Sequence, residues 1–293
     1  MIDVQKRIAI IMTCFNRKEK TLRCLSSLLA DSKHILQVYM VDDGSTDGTG
    51  DAVKASFPQV NVIRSDGNLF WNRGMYLAFS KAVDIGYDFY LWVNDDVIFD
   101  EGCISKLVVA YYELSSMKKE CIIVGPTLDS SRTQNTYGGF EAKKSIKPFE
   151  VERIYMGNEY KKCLIFHGNC VLIPQAVVEK IGVNDPFYQH GYGDADYSLM
   201  AAKAGCDCWL ANFPVGICDR HDESFVFMNP SVPLKKRLNI LHSRINKPIR
   251  DEIYFCKKFY GIWWPYKCFS TDFKIILSSL KYHVFEIFKL HRR

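Results

Sequence analysis

The sequence predicts an α/β fold: a mostly parallel sheet with helices on both faces, followed by a helical, basic and aromatic extension. Three observations predict it. Strand-like and helix-like runs alternate through the first half of the chain, and such alternation places crossover helices on a parallel sheet. The first strand-like run, Ile8–Met12, is apolar without interruption, as a strand buried on both faces must be. Polar clusters directly follow the predicted strands, at Thr13–Arg17, Asp42–Asp47, Asp66–Asn68 and Asn94–Asp96. These are the carboxyl ends, where sheets of this kind bind ligands.

After Ile8–Met12, the stretch Lys18–Leu29 carries Leu22, Leu25, Leu28 and Leu29 at helical spacing. Gln37–Val41 reads as the second strand, and Asp47 is placed to cap a helix running through Phe57. Val60–Arg64 is a third strand, Trp71–Ile85 a helix and Phe89–Val93 a fourth strand. Ile104–Leu114 is a helix and Cys121–Val124 a strand. Residues 126–160 are less regular, with Gly138-Gly139 and scattered charge. Leu164–Ile173 is strand-like but interrupted by His167-Gly168-Asn169, and Asp194–Ala204 is a helix closed by Gly205. Beyond Pro233 the composition turns basic and aromatic. The expected organisation is therefore one domain over 1–232 and an extension over 233–293.

Charge separates the same two parts. The 293 residues carry 38 Lys+Arg against 33 Asp+Glu, a net +5. Residues 235–293 hold 14 and 4 of these, a balance of +10, which leaves 24 and 29, or −5, for residues 1–234. An acidic body with a basic tail excludes a protein that coats nucleic acid uniformly, and no nucleic-acid partner is expected. Hydrophobic residues at 48% and charged residues at 24% are globular usage. Eleven cysteines without any C-x-x-C pattern point to a reducing, cytoplasmic setting. The apolar stretch near the N-terminus is too short to span a membrane and reads as a strand.

In the tail, Phe255, Phe259, Tyr260, Trp263, Trp264, Tyr266 and Phe269 cluster, and Thr271–Leu290 reads as an amphipathic helix. Its stripe is Phe273, Ile276, Leu277, Leu280, Val284, Ile287 and Phe288, with Lys274, Lys281 and Lys289 off it. Such a helix suits the surface of an anionic membrane. The alternative is packing on the preceding domain or on another subunit, as in a homo-oligomer.

Four clusters carry chemistry. Val41-Asp42-Asp43-Gly44-Ser45-Thr46-Asp47 closes a buried strand with two carboxylates. Turn and cap chemistry accounts for Ser45 and Asp47, and a carboxylate here can accept hydrogen bonds from a nucleobase or ribose. Asn94-Asp95-Asp96 ends another strand with hard oxygen ligands suited to Mg²⁺ or Mn²⁺. In Gly191-Tyr192-Gly193-Asp194-Ala195-Asp196-Tyr197, one Asp can cap the following helix and the other can act as a general base. His221 lies in the charged run Asp219–Glu223, where imidazole can serve as a third metal ligand.

In their order and spacing, these motifs resemble the family 2 glycosyltransferases, whose GT-A fold is a Rossmann-like mixed, mostly parallel sheet. The matching residues are Thr13-Cys14-Phe15-Asn16-Arg17, Val41 through Asp47, Gly67-Asn68 with Gly74, Asn94-Asp95-Asp96, and Gly193 through Tyr197 with Lys203-Ala204-Gly205, roughly residues 7–225. The resemblance implies transfer of a sugar from a nucleotide donor with inversion at the anomeric carbon. It assigns the nucleotide to Thr13, Asn16, Arg17 and Asp42, with Asp43, Asn68, Asn94 and Asp95 beside them. It assigns the metal to Asp96 and His221, the base to Asp194, and the sugar and acceptor vicinity to Trp71, Gly193 and Asp196. Two departures stand out: Asn94 replaces the first acid of the family's D-x-D motif, and Gly193 replaces the acid before the base. The stretch Gly67–Trp71 is similar to a variant in bacterial surface-polysaccharide transferases. That similarity implies a lipid-linked glycan acceptor at the inner face of the membrane. A nucleotidyltransferase would instead want a Gly-rich loop after the first strand, which Thr13–Arg17 is not. A non-catalytic nucleotide-sugar-binding scaffold would draw its support from Asn94 and Gly193.

Overall fold

The computed structural model describes residues 4–31, 33–115, 119–144, 150–220 and 226–290, with side chains as far as residue 282. Contacts group the chain into two compact units: Met1–Pro186 with Gly193–Arg220, and Phe187–Tyr192 with His221–Arg293.

The first unit runs β1 (Arg7–Cys14), α1 (Lys18–Leu28), β2 (Ile35–Asp42), α2 (Thr49–Ser56), β3 (Asn61–Arg64), α3 (Phe70–Val83), β4 (Phe89–Val93), β5 (Ile98–Phe99) and α4 (Cys103–Ser115). It continues with β6 (Cys121–Val124), β7 (Thr127–Leu128), β8 (Asn135–Tyr137), β9 (Gly139–Ala142), β10 (Val151–Arg153), β11 (Lys161–Cys163) and β12 (Ile165–Phe166). The last elements are β13 (Cys170–Pro174), α5 (Gln175–Ile181), α6 (Gly193–Lys203), β14 (Asp207–Leu210) and β15 (Gly216–Ile217).

Eight strands form the main sheet in the order β11-β14-β6-β13-β4-β1-β2-β3. The pairs β1–β2, β1–β4, β2–β3 and β6–β14 are parallel. β13 is antiparallel to both β4 and β6, and β11 is antiparallel to β14. The sheet is therefore mixed and mostly parallel, as the sequence predicts. The His167-Gly168-Asn169 interruption splits the predicted Leu164–Ile173 strand into β12 and β13.

Alternation along β1 explains the layers. Ile8, Ile10 and Met12 pack on one face with Leu25 and Leu28 of α1 and with Ile104 and Leu107 of α4. Ala9 and Ile11 pack on the other with Met75, Ala78 and Phe79 of α3 and with Tyr197 and Ala201 of α6. Both faces of the strand are thus buried, which is why the run has no polar position. All eleven cysteines are free and buried, and behave as small core hydrophobes.

One local expectation is corrected. The N-cap position of α2 is Gly48, at a left-handed φ of 80°, and not Asp47. The Asp47 carboxylate instead accepts from Lys18 N at 3.0 Å and Thr49 N at 3.0 Å, so it ties the first turn of α1 to that of α2. The irregular 126–160 region contains four strands of two to four residues, too short to leave a period in the sequence.

The second unit contains α7 (Leu234–Leu241), α8 (Ile249–Phe259), a 3-10 turn at Gly261–Trp263 and α9 (Trp264–Leu290). α9 begins seven residues before the predicted start. Pro265 sits in its first turn, where a missing N–H costs no intrahelical bond. Arg237 is fully buried and, among the described residues, has no carboxylate partner: it donates to the carbonyls of Phe227, Met228 and Ile275 and to the hydroxyls of Ser278 and Ser279. The aromatic cluster divides. Phe255 is buried against Tyr188, Tyr192, Phe259 and Tyr260, whereas Trp263, Tyr266 and Phe269 are exposed. Along α9, Cys268 and Ile275 face inward, whereas Phe273, Ile276, Leu277 and Leu280 of the predicted stripe are exposed. The side chains of Val284, Ile287 and Phe288 lie outside the described residues. No helix among the described residues is long and apolar enough to cross a membrane.

Candidate active site

The polar clusters converge within the first unit at the carboxyl ends of β1, β2 and β4. Thr13 is the last residue but one of β1, its Oγ1 donating to Val41 O of β2 at 3.2 Å. Gly74 of α3 lies directly over it: a Cβ there would stand 2.5 Å from Thr13 Oγ1. Asn16 adopts a left-handed φ of 51°, and its Oδ1 accepts from Thr46 N at 2.7 Å while its own N–H donates to Ser45 Oγ at 2.9 Å. The Asn16 carbonyl oxygen therefore joins the loops after β1 and β2.

The two carboxylates after β2 have different tasks. Asp42 is buried, and its Oδ1 accepts from Ser45 N at 3.0 Å. Gly50 leaves room for its other oxygen, which a Cβ would meet at 2.2 Å. Asp43 turns the opposite way. It accepts from Ser65 Oγ at 2.7 Å, Leu69 N at 3.2 Å and Phe70 N at 2.8 Å, so it fastens the 65–70 loop and the first N–H groups of α3. Asn68 is exposed on that loop, with its N–H on Asp66 Oδ1.

At the end of β4, Asn94 Oδ1 accepts from Trp71 Nε1 at 2.9 Å, and Trp71 packs edge-on to Trp92 with centroids 6.0 Å apart. This accounts for the first departure. A neutral amide oxygen suffices to accept the indole N–H, and brings no third negative charge beside Asp95 and Asp96. Asp95 Oδ1 and Asp96 Oδ2 both accept from one nitrogen, Arg17 Nη1, at 3.1 and 3.0 Å. Thr21 Oγ1 adds a bond to Asp95 Oδ2 at 3.3 Å, and the Cys218 thiol donates to Asp96 Oδ1 at 3.5 Å. Burial pushes the Asp95 carboxyl up to about 6, against the pull of Arg17 and with the push of Asp96.

These residues fit a hard divalent cation, because two carboxylate oxygens already converge on one cationic atom. Among the described residues, no group of three His, Cys, Asp or Glu is placed to hold a metal. His221, the third ligand implied by the sequence, lies outside the described residues.

Asp194 stands in the first turn of α6. Its Oδ2 accepts from Gly168 N at 3.2 Å and its Oδ1 from Ala195 N at 2.8 Å. Burial raises its carboxyl above the usual range, against these two backbone donors. Asp196 is buried on the same turn. The second departure also has a cause. A Cβ on Gly193 would lie 1.8 Å from Asn72 Oδ1, and Asn72 is itself fixed, donating to Asp185 O at 2.8 Å and accepting from Asn184 Nδ2 at 2.8 Å. The space of the missing acid is filled by Asn72. Gly193→Ala is accordingly expected to cost about 1–3 kcal/mol of stability, since neither neighbour can give way. An unchanged thermal unfolding midpoint would contradict this packing.

The structure thus joins Arg17 to Asp95 and Asp96, Asn16 to Asp42 through Ser45, Thr13 to Val41 and Asn94 to Trp71, and places Asp194 against Gly168. It turns Asp43 away into the 65–70 loop. Sequence reading missed Thr21, Gly168 and Cys218. The break in the Leu164–Ile173 run is the signal for Gly168, whereas a single Thr in a helix and a single Cys carry no pattern that marks them.

Comparison with known proteins gives the family and the fold. The sequence profile described as glycosyl transferase family 2 matches residues 9–182. No curated protein sequence matches the chain at a significant level. Among solved structures, the chain is similar to the mannosyltransferase PcManGT from Pyrobaculum calidifontis, in complex with GDP-Man and Mn²⁺. The TM-score is 0.55 at 13% identity, over 95% of this chain and 74% of that one. It is also similar to GalNAc-T7 with UDP, GalNAc and Mn²⁺, with a TM-score of 0.59 at 14% identity. That match covers 93% of this chain and 55% of the other, so the chain spans about half the length of GalNAc-T7. At these identities the likeness shows the fold, which is GT-A.

Proposed function

The chain belongs to glycosyl transferase family 2, and from this premise we propose that it moves a sugar from a nucleotide-sugar donor to an acceptor hydroxyl with inversion at the anomeric carbon. The observation that carries the reading is Asp194, held by Gly168 N and Ala195 N in the same unit as the Asp95–Asp96 pair. Asp194 takes the proton of the attacking hydroxyl, and its raised carboxyl makes it a better base than an exposed aspartate. Asp42 and Thr13 line the nucleotide side, and Trp71, fixed by Asn94, walls the sugar side. Asp96, with His221, would hold Mg²⁺ or Mn²⁺, which when bound neutralises charge on the departing nucleoside diphosphate. Single displacement needs no covalent intermediate. The test is a panel of nucleotide sugars, following Mn²⁺-dependent release of nucleoside diphosphate and the anomeric configuration of the product by NMR. A retained configuration, or no release from any donor, rejects the reading.

The finer proposal concerns the acceptor. Residues 1–232 are taken as the catalytic domain and 233–293 as the part that meets an anionic membrane from the cytoplasmic side, where a lipid-linked glycan for a surface polysaccharide would present its hydroxyl. Support comes from the +10 balance of residues 235–293 and the exposed Trp263, Tyr266, Phe269, Phe273, Leu277 and Leu280. The full chain is expected to cosediment with phosphatidylglycerol vesicles and not with phosphatidylcholine vesicles. The triple substitution Phe273→Glu, Leu277→Glu, Leu280→Glu should weaken that binding at least about tenfold. Equal binding by the variant would remove this face from the role.

A further inference from the structure

We infer that Arg17 and the divalent cation compete for the Asp96 carboxylate, so that Arg17 holds the metal site shut until an anionic nucleotide draws it away. This rests on the reading of Asp96 as the metal ligand. A single nitrogen, Arg17 Nη1, bridges Asp95 Oδ1 and Asp96 Oδ2 at 3.1 and 3.0 Å, and so occupies the Asp96 oxygen beside which a cation would sit. The carboxylates cannot withdraw. Their side chains are only 6% and 8% exposed, and Asp95 is also held by Thr21.

Arg17 can withdraw. Its side chain is 39% exposed, and its backbone is separately anchored, with Arg17 O accepting from Thr21 N at 2.9 Å and Thr21 Oγ1 at 3.0 Å. Only side-chain rotation is needed for it to leave. A guanidinium and a divalent cation repel at this range, so both cannot sit on Asp96. An arginine released alone forfeits two charge-assisted hydrogen bonds. A nucleoside diphosphate replaces them, because phosphate oxygens match the guanidinium fork. Metal and nucleotide should therefore bind cooperatively, and reciprocally.

The experiment titrates Mn²⁺ alone into the full-length wild type, Arg17→Gln and Arg17→Met by calorimetry, then repeats each titration with UDP or GDP saturating. Without nucleotide, both variants should bind Mn²⁺ about tenfold or more tightly than wild type, the factor expected when a competing charge-assisted pair is lost. The gain in Mn²⁺ affinity on adding nucleotide should be smaller in the variants than in wild type. If either variant is folded by circular dichroism and binds Mn²⁺ alone no more tightly than wild type, competition by Arg17 is overturned. An Asp96→Ala arm keeps the underlying reading separate: unchanged Mn²⁺ binding there overturns the metal assignment itself, whatever Arg17 does.

Discussion

Replacing Asp194 with asparagine is expected to lower kcat by about 10³-fold while leaving donor affinity within a factor of about three, the loss typical of removing a general base. The substitution keeps size and shape but changes the hydrogen-bonding faces. Both oxygens of Asp194 accept from backbone N–H groups, Oδ2 from Gly168 and Oδ1 from Ala195. Asparagine has one accepting end, so whichever way the amide is turned an NH₂ meets an N–H. A stability loss of about 1–3 kcal/mol should therefore accompany the catalytic loss. The two effects separate under measurement: thermal unfolding reads the first, and transfer at saturating donor reads the second. In the wild type, burial holds the Asp194 carboxyl above the usual range. The base is active only when deprotonated, so kcat/KM should fall as pH falls, with the acid limb above the ordinary carboxylate value. Normal transfer by Asp194→Asn would remove the residue from the base role.

Much of the first unit was legible because its strands are buried on both faces. Ile8–Met12 and Phe89–Val93 show no polar position, and the chemistry-bearing residues follow them directly. The short strands between Thr127 and Arg153 were not legible, since two to four residues leave no period. The site was legible by residue type but not by task. Asp42 and Asp43 are neighbours of identical chemistry, and only the third dimension shows that Asp43 serves the first turn of α3. Asn16 likewise reads as a ligand-facing polar residue, yet its carbonyl oxygen is used by the Thr46 N–H. Asn94 and Gly193 read as weakened acids in the sequence. In the fold each fits a neighbour, Trp71 Nε1 and Asn72 Oδ1, and this argues against a decayed, non-catalytic site.

The second large effect distinguishes the adjacent acids of β4's end. Asp96→Ala is expected to abolish the Mn²⁺ dependence of donor binding and to reduce transfer by at least about 10²-fold, since a metal's charge stabilisation is worth several kcal/mol. Asp95→Ala should instead act first on the fold. Asp95 is buried beside the start of α1, with Arg17 on one oxygen and the Thr21 hydroxyl of α1 on the other. Removing it takes one of two carboxylates from Arg17 Nη1, leaves the Thr21 hydroxyl only Arg17 O as acceptor, and empties a buried polar position, a loss of about 1–3 kcal/mol. Asp96→Ala removes one of two like charges in a shared buried setting, which relieves Asp95 and offsets part of the lost Arg17 bond. The two variants should therefore cross over: Asp95→Ala less stable but still metal-responsive, Asp96→Ala stable but metal-blind. Donor binding titrated with and without Mn²⁺, alongside thermal unfolding of both variants, decides the matter. If Asp95→Ala is the variant that loses the metal response, the ligand roles of the two carboxylates must be exchanged.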